Sequence, residues 1–457
     1  MMTGKELVLA AMKNEKTERT PWVPFCGVHC ASLIGKTADV YLKSSDLMTA
    51  GLEKAISLYK PDGIPVIFDL QLEAEIFGCD LHWNKDNPPS VMSHPLAEGK
   101  ISFDDLKVPA ESDGRIPDVV KTIKSIRAAH PDVALYGLIT GPFTLALHLL
   151  GTEIFMMMFD DEDGVKKILD FCAETGKAMS KIFLDAGCDI IAVVDPMTSQ
   201  IGPEQFEDFC TKPLQKIFDY VRELGKLSSL FVCGHAQKNI EVMSDTRCDN
   251  ISIDENIPLD YVRDICRAKG ISFGGNLQLT VVMLLGDENA NKIDAFKCLK
   301  IAGDKGGFIL APGCDIPFAT PPRNIIAAGK VAQDPEEYKI AEQLAKNPPV
   351  LEIEKFDLSN YIDDSVLKID IVTLDSLGCA PCQYMVAAAE LVAKEFGDKV
   401  QVREHKIKGI DGIRMMVTLG ATNIPTLCMD KEIVFISSIP DNKTLADAMR
   451  ERLAKKK

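Results

Sequence analysis

The chain has 457 residues, 46% of them hydrophobic, and a formal net charge of −16. That length suits two or three domains with proper cores. The negative balance argues against binding nucleic acid or an anionic membrane surface, since both need a basic face. No apolar run reaches the ~18 residues of a bilayer-spanning helix. Residues 1–16 read as an amphipathic helix without a signal-peptide core, so the protein is expected to be soluble and cytoplasmic. In that reducing compartment the 14 cysteines read as packing residues, metal ligands or redox groups, not as a disulfide framework.

In chain order, residues 3–14 predict a helix with Thr3 as N-cap. Pro21-Trp22-Val23-Pro24-Phe25 reads as a first strand, 44–60 as a helix, and Ile64-Pro65-Val66-Ile67-Phe68 as a second strand running into Asp69. Residues 80–115 lack periodicity and read as an excursion. A helix over 117–129 leads to a third strand, 133–139, and then to Thr140-Gly141-Pro142-Phe143 and another helix. Helix 162–186 precedes a fourth strand, 190–194, that ends at Asp195. Helix 203–224, a fifth strand at 229–232 and a sixth at 250–253, ending at Asp254-Glu255, follow. Helix 258–269, a seventh strand at 272–275 ending at Asn276, helix 289–302 and an eighth strand at 308–311 ending at Cys314 complete the series.

Eight short, continuously apolar strands with helices mostly between them predict an α/β fold, a (β/α)8 TIM barrel over residues 1–332. Chemistry in such barrels sits at the C-terminal ends of the strands. Asp69, Glu73, Asp195, Cys233, His235, Asp254, Glu255, Asn276, Cys314 and Asp315 therefore converge on one mouth. Cys233, His235 and Cys314 are candidate metal ligands. Glu73, Asp195 and Asp254 are candidate catalytic carboxylates, and Asp69 and Asn276 candidate substrate contacts. A plainer alternative stays open for each: strand-end cysteines often only pack, and strand-end carboxylates often anchor loops. Cys26 and Cys30 around His29 suggest a second metal site, but the spacing lacks a partner pair.

Residues 333–364 read as a linker with some helix at 336–346. The second domain, 365–457, runs strand 366–374, Cys379-Ala380-Pro381-Cys382, helix 383–396, strand 400–407 and helix 409–418. It continues with Asn423-Ile424-Pro425-Thr426-Leu427 entering a strand, a further strand at 432–436, and helix 443–454. A strand, C-x-x-C, a helix and a later Ile-Pro-Thr form the pattern of a thioredoxin-like domain. Cys379 at the helix N-terminus would be the attacking thiolate and Cys382 the resolving thiol. Pro425 is expected to follow a cis peptide bond. The alternative is a docking domain with a vestigial dithiol.

Several motifs in the first 330 residues occur together. They include Glu18-Arg19-Thr20-Pro21, Asp69-Leu70-Gln71-Leu72-Glu73-Ala74-Glu75 with Phe77-Gly78-Cys79, Gly114-Arg115-Ile116-Pro117 and Thr140-Gly141-Pro142-Phe143-Thr144. Later come Asp195-Pro196, Cys233-Gly234, Gly275-Asn276, and Gly313-Cys314-Asp315-Ile316-Pro317 with Thr320-Pro321. With these motifs the chain resembles the uroporphyrinogen decarboxylase superfamily. Within it, the chain looks most like the cobamide-dependent methyltransferases of methanol, methylamine and methoxyaromatic metabolism. The resemblance implies methyl transfer between a methylated corrinoid on a partner protein and a thiol or other acceptor, assisted by zinc. In the methylcobamide:coenzyme M branch the zinc is held by His-x-Cys at the end of strand five and a Cys at the end of strand eight. Cys233 and Cys314 fit the two cysteine positions, whereas Phe231 stands at the histidine position. The third ligand is then His235, Asp254 or Glu255, or zinc is absent. Coordination matters because a free thiol, of pKa about 8.5, is mostly protonated at neutral pH. Alternatives are a donor-side demethylase that methylates a corrinoid protein, a tetrapyrrole decarboxylase, and a non-enzymatic redox or corrinoid-binding module. The arginine-rich N-terminal motif of true uroporphyrinogen decarboxylases is absent.

Overall fold

The computed structural model describes residues 2–348, 354–376, 380–407 and 409–456. The chain divides into two compact units, Met1–Pro349 and Val350–Lys457.

Among its described residues the first unit holds nine strands: β1 (Gly63–Pro65), β2 (Leu81–His82), β3 (Ser90–Val91), β4 (Ala134–Thr140), β5 (Ile190–Val194), β6 (Leu227–Val232), β7 (Asn250–Ile253), β8 (Ser272–Leu277) and β9 (Phe308–Pro312). Seven form one parallel sheet in the order β1-β4-β5-β6-β7-β8-β9. β2 and β3 form a small antiparallel pair within the expected excursion. Helices lie between most of the parallel strands, as crossover connections require.

The first expected strand is not a strand but a single parallel bridge, Trp22 to Leu310. The reason is chemical. Pro21 and Pro24 carry no N–H, so they cannot donate to a ladder. Val23 N donates to Leu310 O at 3.0 Å and Leu310 N to Pro21 O at 3.0 Å. On the other side Asp62 N donates to Trp22 O at 2.9 Å, and Trp22 N donates to the Asp62 carboxylate at 2.8 Å. The segment thus bonds to β9 and to the residue before β1, the two edges of the sheet, and the sheet curls into a barrel-like form. Arg19 holds the same carboxylate through two contacts of 2.6 and 2.7 Å.

Side chains of alternate strand residues point to the inside of the curl. Tyr136, Leu138, Ile190, Ala192, Val194, Phe231, Ile309 and Ala311 share one buried cluster with Val23, Phe25 and Phe68. Val8, Ala11 and Met12 of the helix Gly4–Met12 join it. Thr3 begins that helix with a capping box, as expected: Glu6 N donates to Thr3 Oγ1 at 3.2 Å, and Thr3 N to the Glu6 carboxylate at 2.7 Å. The helix Pro335–Lys346 belongs to this unit and not to a free linker. Tyr338 packs on Phe296 with ring centroids 5.2 Å apart, and Glu337 pairs with Lys292 at 2.6 Å.

Among the described residues no single helix is long and apolar enough to cross a membrane. One pair, Pro142–Leu150 and Glu153–Asp160, is apolar enough together but is bent by 104°.

Among its described residues the second unit has four strands, β10 (Leu367–Thr373), β11 (Val400–Lys406), β12 (Thr426–Met429) and β13 (Glu432–Ile436), in the order β11-β10-β12-β13. β10 pairs parallel with β11 and antiparallel with β12; β12 and β13 form a hairpin. Helices Ala380–Ala393, Ile410–Leu419 and Asn442–Ala454 follow β10, β11 and β13. Its own core includes Leu367, Ile369, Ile371, Met385, Ala389, Leu427 and Met449.

Candidate functional site

β6 and β9 are separated by two strands in the sheet, yet its curl brings their ends together. The Cys233 thiol donates to Cys314 Sγ at 2.9 Å. Both residues are half-buried, so the pair faces the mouth. Two glycines permit this approach. Gly234 turns away from β6 with φ of 87°, a region that favours glycine. A Cβ on Gly313 would lie 2.3 Å from the Glu255 carboxylate, so a side chain there would push the end of β9 away.

Below the thiols lies an aromatic floor. Phe231 is two residues before Cys233, on the same face of β6. It is fully buried, with its ring 5.0 Å from Phe25 and 5.9 Å from Phe68. Phe25 also meets Tyr136 edge-on at 6.2 Å. The place where a histidine would reach up to the thiols is thus filled by packed hydrocarbon.

Carboxyls surround the pair on the β7 side. Asp254 accepts from Gly234 N, from Asn256 N at 2.9 Å and from Asn256 Nδ2 at 2.8 Å. Burial pushes it up to about 6. Glu255 accepts from Leu279 N at 3.2 Å. Burial, and then the Asp254 charge, push it up to about 8. Its hydrogen bond to Cys314, then burial and the nearby acids, push the Cys233 thiol well up. Asp315 accepts from Gly27 N at 2.6 Å, and burial pushes it up to about 8.

The other predicted carboxylates are tied to backbone. Asp195 accepts from Phe143 N at 3.1 Å, Thr144 N at 2.8 Å and Thr144 Oγ1 at 2.6 Å. It caps the helix Pro142–Leu150, and burial pushes it up to about 6. Glu73 accepts from Thr140 N at 3.0 Å and Thr140 Oγ1 at 2.7 Å, which fixes the helix Leu72–Ile76 to the end of β4; burial pushes it up. Asp69 accepts from Gln71 N at 2.9 Å and pairs with Arg115 at 2.8 Å. Asn276 donates to Asp254 O at 3.1 Å and Ile257 O at 2.9 Å, so its amide nitrogen clamps the loop after β7.

Arg115 lies away from the strand ends at which the sequence places its candidate site residues. It bridges Asp69 and Glu75, the latter at 2.7 Å, and stacks over Trp83 at 4.9 Å. The one signal for it was its place in Gly114-Arg115-Ile116-Pro117. The second metal site around His29 is not formed. His29 Nε2 contacts Tyr59 Oη at 2.7 Å and Nδ1 contacts Phe318 O at 3.2 Å, and burial lowers it to about 4.

Among the described residues two thiols are in place for zinc but no third ligand is grouped with them. Two thiols suit zinc, and Cys233 and Cys314 stand side by side at 2.9 Å. Phe231 cannot ligate. His235 is half-buried on the loop after β6, and burial lowers its pKa. Among the described residues no three His, Cys, Asp or Glu side chains form a metal-holding group, so the expected set Cys233, Cys314 and His235 is not assembled.

In the second unit Cys379 lies outside the described residues. Cys382 is buried in the helix Ala380–Ala393 and is disulfide-bonded. The peptide Ile424–Pro425 before β12 is cis, as expected.

The first unit has counterparts of known activity. A methylcobamide:CoM methyltransferase (MtbA) of Methanosarcina acetivorans is 27% identical over 330 residues, covering 71% of this chain and 95% of the relative. The corresponding MtaA enzyme of Methanosarcina barkeri is 28% identical over 335 residues, covering 71% and 96%. The solved structure of a methyltransferase from Methanosarcina mazei superposes with a TM-score of 0.67 at 26% identity, over 74% of this chain and all of that one. The uroporphyrinogen decarboxylase (URO-D) family profile matches residues 3–334, and the chain belongs to that family.

Proposed function

We propose that the first unit is a corrinoid-dependent methyltransferase. It moves a methyl group between a methylated corrinoid, carried on a separate protein, and a small thiol or similar acceptor at the barrel mouth. The observation that carries this reading is the Cys233–Cys314 pair at the ends of β6 and β9, in a chain similar to methylcobamide:CoM methyltransferases.

A corrinoid supplies a methyl group on a metal that departs as a good leaving group. The chain must then present a nucleophile, orient it and take its proton. Glu255 suits the last task. Its carboxylate lies against Gly313, next to Cys314, and burial, then the Asp254 charge, raise its pKa toward that of a thiol, so it takes the proton in its ionised fraction. Cys233 and Cys314 place two polarisable sulfurs above the aromatic floor, where they line the acceptor's seat.

We read the second unit as thioredoxin-like. The order β11-β10-β12-β13, with helix Ala380–Ala393 between β10 and β11, supports this, as does the C-x-x-C motif at 379–382. Its C-x-x-C pair is then a redox group.

The test is spectral conversion of methylcob(III)alamin to cob(I)alamin by anaerobic protein with a series of thiols. Conversion that needs both a thiol and the intact cysteine pair is expected. No conversion with any thiol overturns the reading.

A further inference from the structure

The thiol pair has one property that methyl transfer does not require. The two sulfurs are in contact, 2.9 Å apart. A disulfide has an S–S bond of about 2.05 Å, so closure needs a shift of about 0.9 Å. Gly234 and Gly313 adjoin the two cysteines, and the loop after β6 is not held by a helix until residue 237. The pair is half-buried at the mouth, so a small disulfide reaches it. Beneath, Phe231 and Phe25 pack ring on ring and close the floor under the pair. The other free cysteines among the described residues are buried.

We propose that Cys233 and Cys314 are a redox-active dithiol, closed to an intramolecular disulfide by low-molecular-weight disulfides and reopened by dithiols. In the first step one cysteine thiolate attacks a small disulfide, forming a mixed disulfide and releasing one small thiolate. In the second step the neighbouring thiolate attacks the protein sulfur of that mixed disulfide. The intramolecular S–S bond forms and the second small thiolate leaves. The protein loses two protons and two electrons; the electrons reside in the two small thiols. A dithiol reverses both steps. The inference stands on the sulfur geometry and does not depend on the methyl-transfer reading.

The experiment uses the full chain, purified anaerobically and incubated with oxidised glutathione, then alkylated and digested for mass spectrometry. The expected product is a linked pair of peptides carrying Cys233 and Cys314, lighter by two hydrogens and lost on treatment with dithiothreitol. In Cys233→Ser and in Cys314→Ser the remaining cysteine carries a glutathione adduct instead, which shows that the exchange occurs and that closure needs both. Independent alkylation of both cysteines in the wild type, after either has been seen to accept glutathione in the variants, overturns the proposal. So does stoichiometric bound zinc that blocks the link and is lost in both variants. The readout contains no methyl donor, so failure of methyl transfer leaves it untouched, and failure of the link leaves the methyltransferase reading untouched.

Discussion

On the β1–β5 side of the mouth and on the β6–β9 side, strands end in the same kinds of residue, but the side chains do different work. Glu73 and Asp195 are saturated by N–H and hydroxyl groups of Thr140, Phe143 and Thr144. They tie the end of a strand to a helix that lies earlier in the chain. Across the mouth, Cys233, Cys314 and Glu255 are only half-buried, and the two sulfurs meet each other. A polar residue at a barrel strand end is therefore a framework group where backbone donors saturate it, and a candidate for chemistry where they do not. Residue type alone does not separate the two cases.

The comparison breaks most directly at the sulfurs. Cys233→Ser and Cys314→Ser are each expected to reduce methyl transfer to background while leaving the urea unfolding midpoint nearly unchanged, since a half-buried Sγ→Oγ change removes little packing. Full activity in either variant would move the chemistry elsewhere. Asp195→Ala should give the opposite pattern. It orphans two buried N–H groups and a hydroxyl, each worth about 1–3 kcal/mol, so a loss of about 3 kcal/mol in unfolding free energy is expected. Activity in the folded fraction should be largely retained. A stable but inactive Asp195→Ala protein would return Asp195 to the catalytic side.

Phe231→His sharpens the same contrast from within the floor. A histidine there places a ring nitrogen one strand repeat below Cys233, where the aromatic cluster now sits. The cost is about 3 kcal/mol of core packing. The gain should be near-stoichiometric zinc, measured by metal analysis of anaerobic protein, against little in the wild type. Equal zinc in both proteins would show that residue 231 does not decide metal binding.

Carboxyl burial predicts an unusual pH profile. Asp195, ordinarily at 3.8, is pushed up to about 6, and Asp315 up to about 8. A group with a raised folded pKa binds more protons folded than unfolded, so stability falls as pH rises through that window. These two groups should make the first unit less stable at pH 8 than at pH 5. Asp195→Asn should flatten the curve between about pH 4 and 6, and Asp315→Asn between about 4 and 8. Urea titrations at these pH values that show no such flattening would place the two carboxyls in water.

Much of this was legible in the sequence because buried parallel strands are continuous apolar runs whose last residue marks the mouth. That rule put Cys233 and Cys314 together across 81 positions. It failed at Pro21 to Phe25, where an apolar run is interrupted by prolines that remove ladder donors. It also could not see Arg115, because an arginine before a helix looks solvated until the fold sets Asp69 and Glu75 against it. Asn276 reads as a mouth residue by position, yet its amide is spent on the carbonyls of Asp254 and Ile257. Hydrogen-bond saturation is a property of tertiary neighbours and leaves no local pattern.

The smallest expected effect concerns the link between the two dithiols of the chain. Under excess dithiothreitol the barrel thiols are reduced by the solvent, so Cys379→Ser with Cys382→Ser should leave methyl transfer unchanged. After a pulse of oxidised glutathione and its removal, only a limiting monothiol is supplied. The wild type is then expected to recover activity faster than the double variant: the monothiol first reduces the Cys379–Cys382 disulfide, and the resulting dithiol passes both electrons to the barrel pair, releasing its mixed disulfide by an intramolecular second step that a monothiol lacks. The difference is one of rate and not of end point, and it is followed by the reappearance of alkylatable Cys233 and Cys314. Equal recovery in both proteins would cut the redox connection and leave the second unit as a docking module whose dithiol serves something other than the barrel.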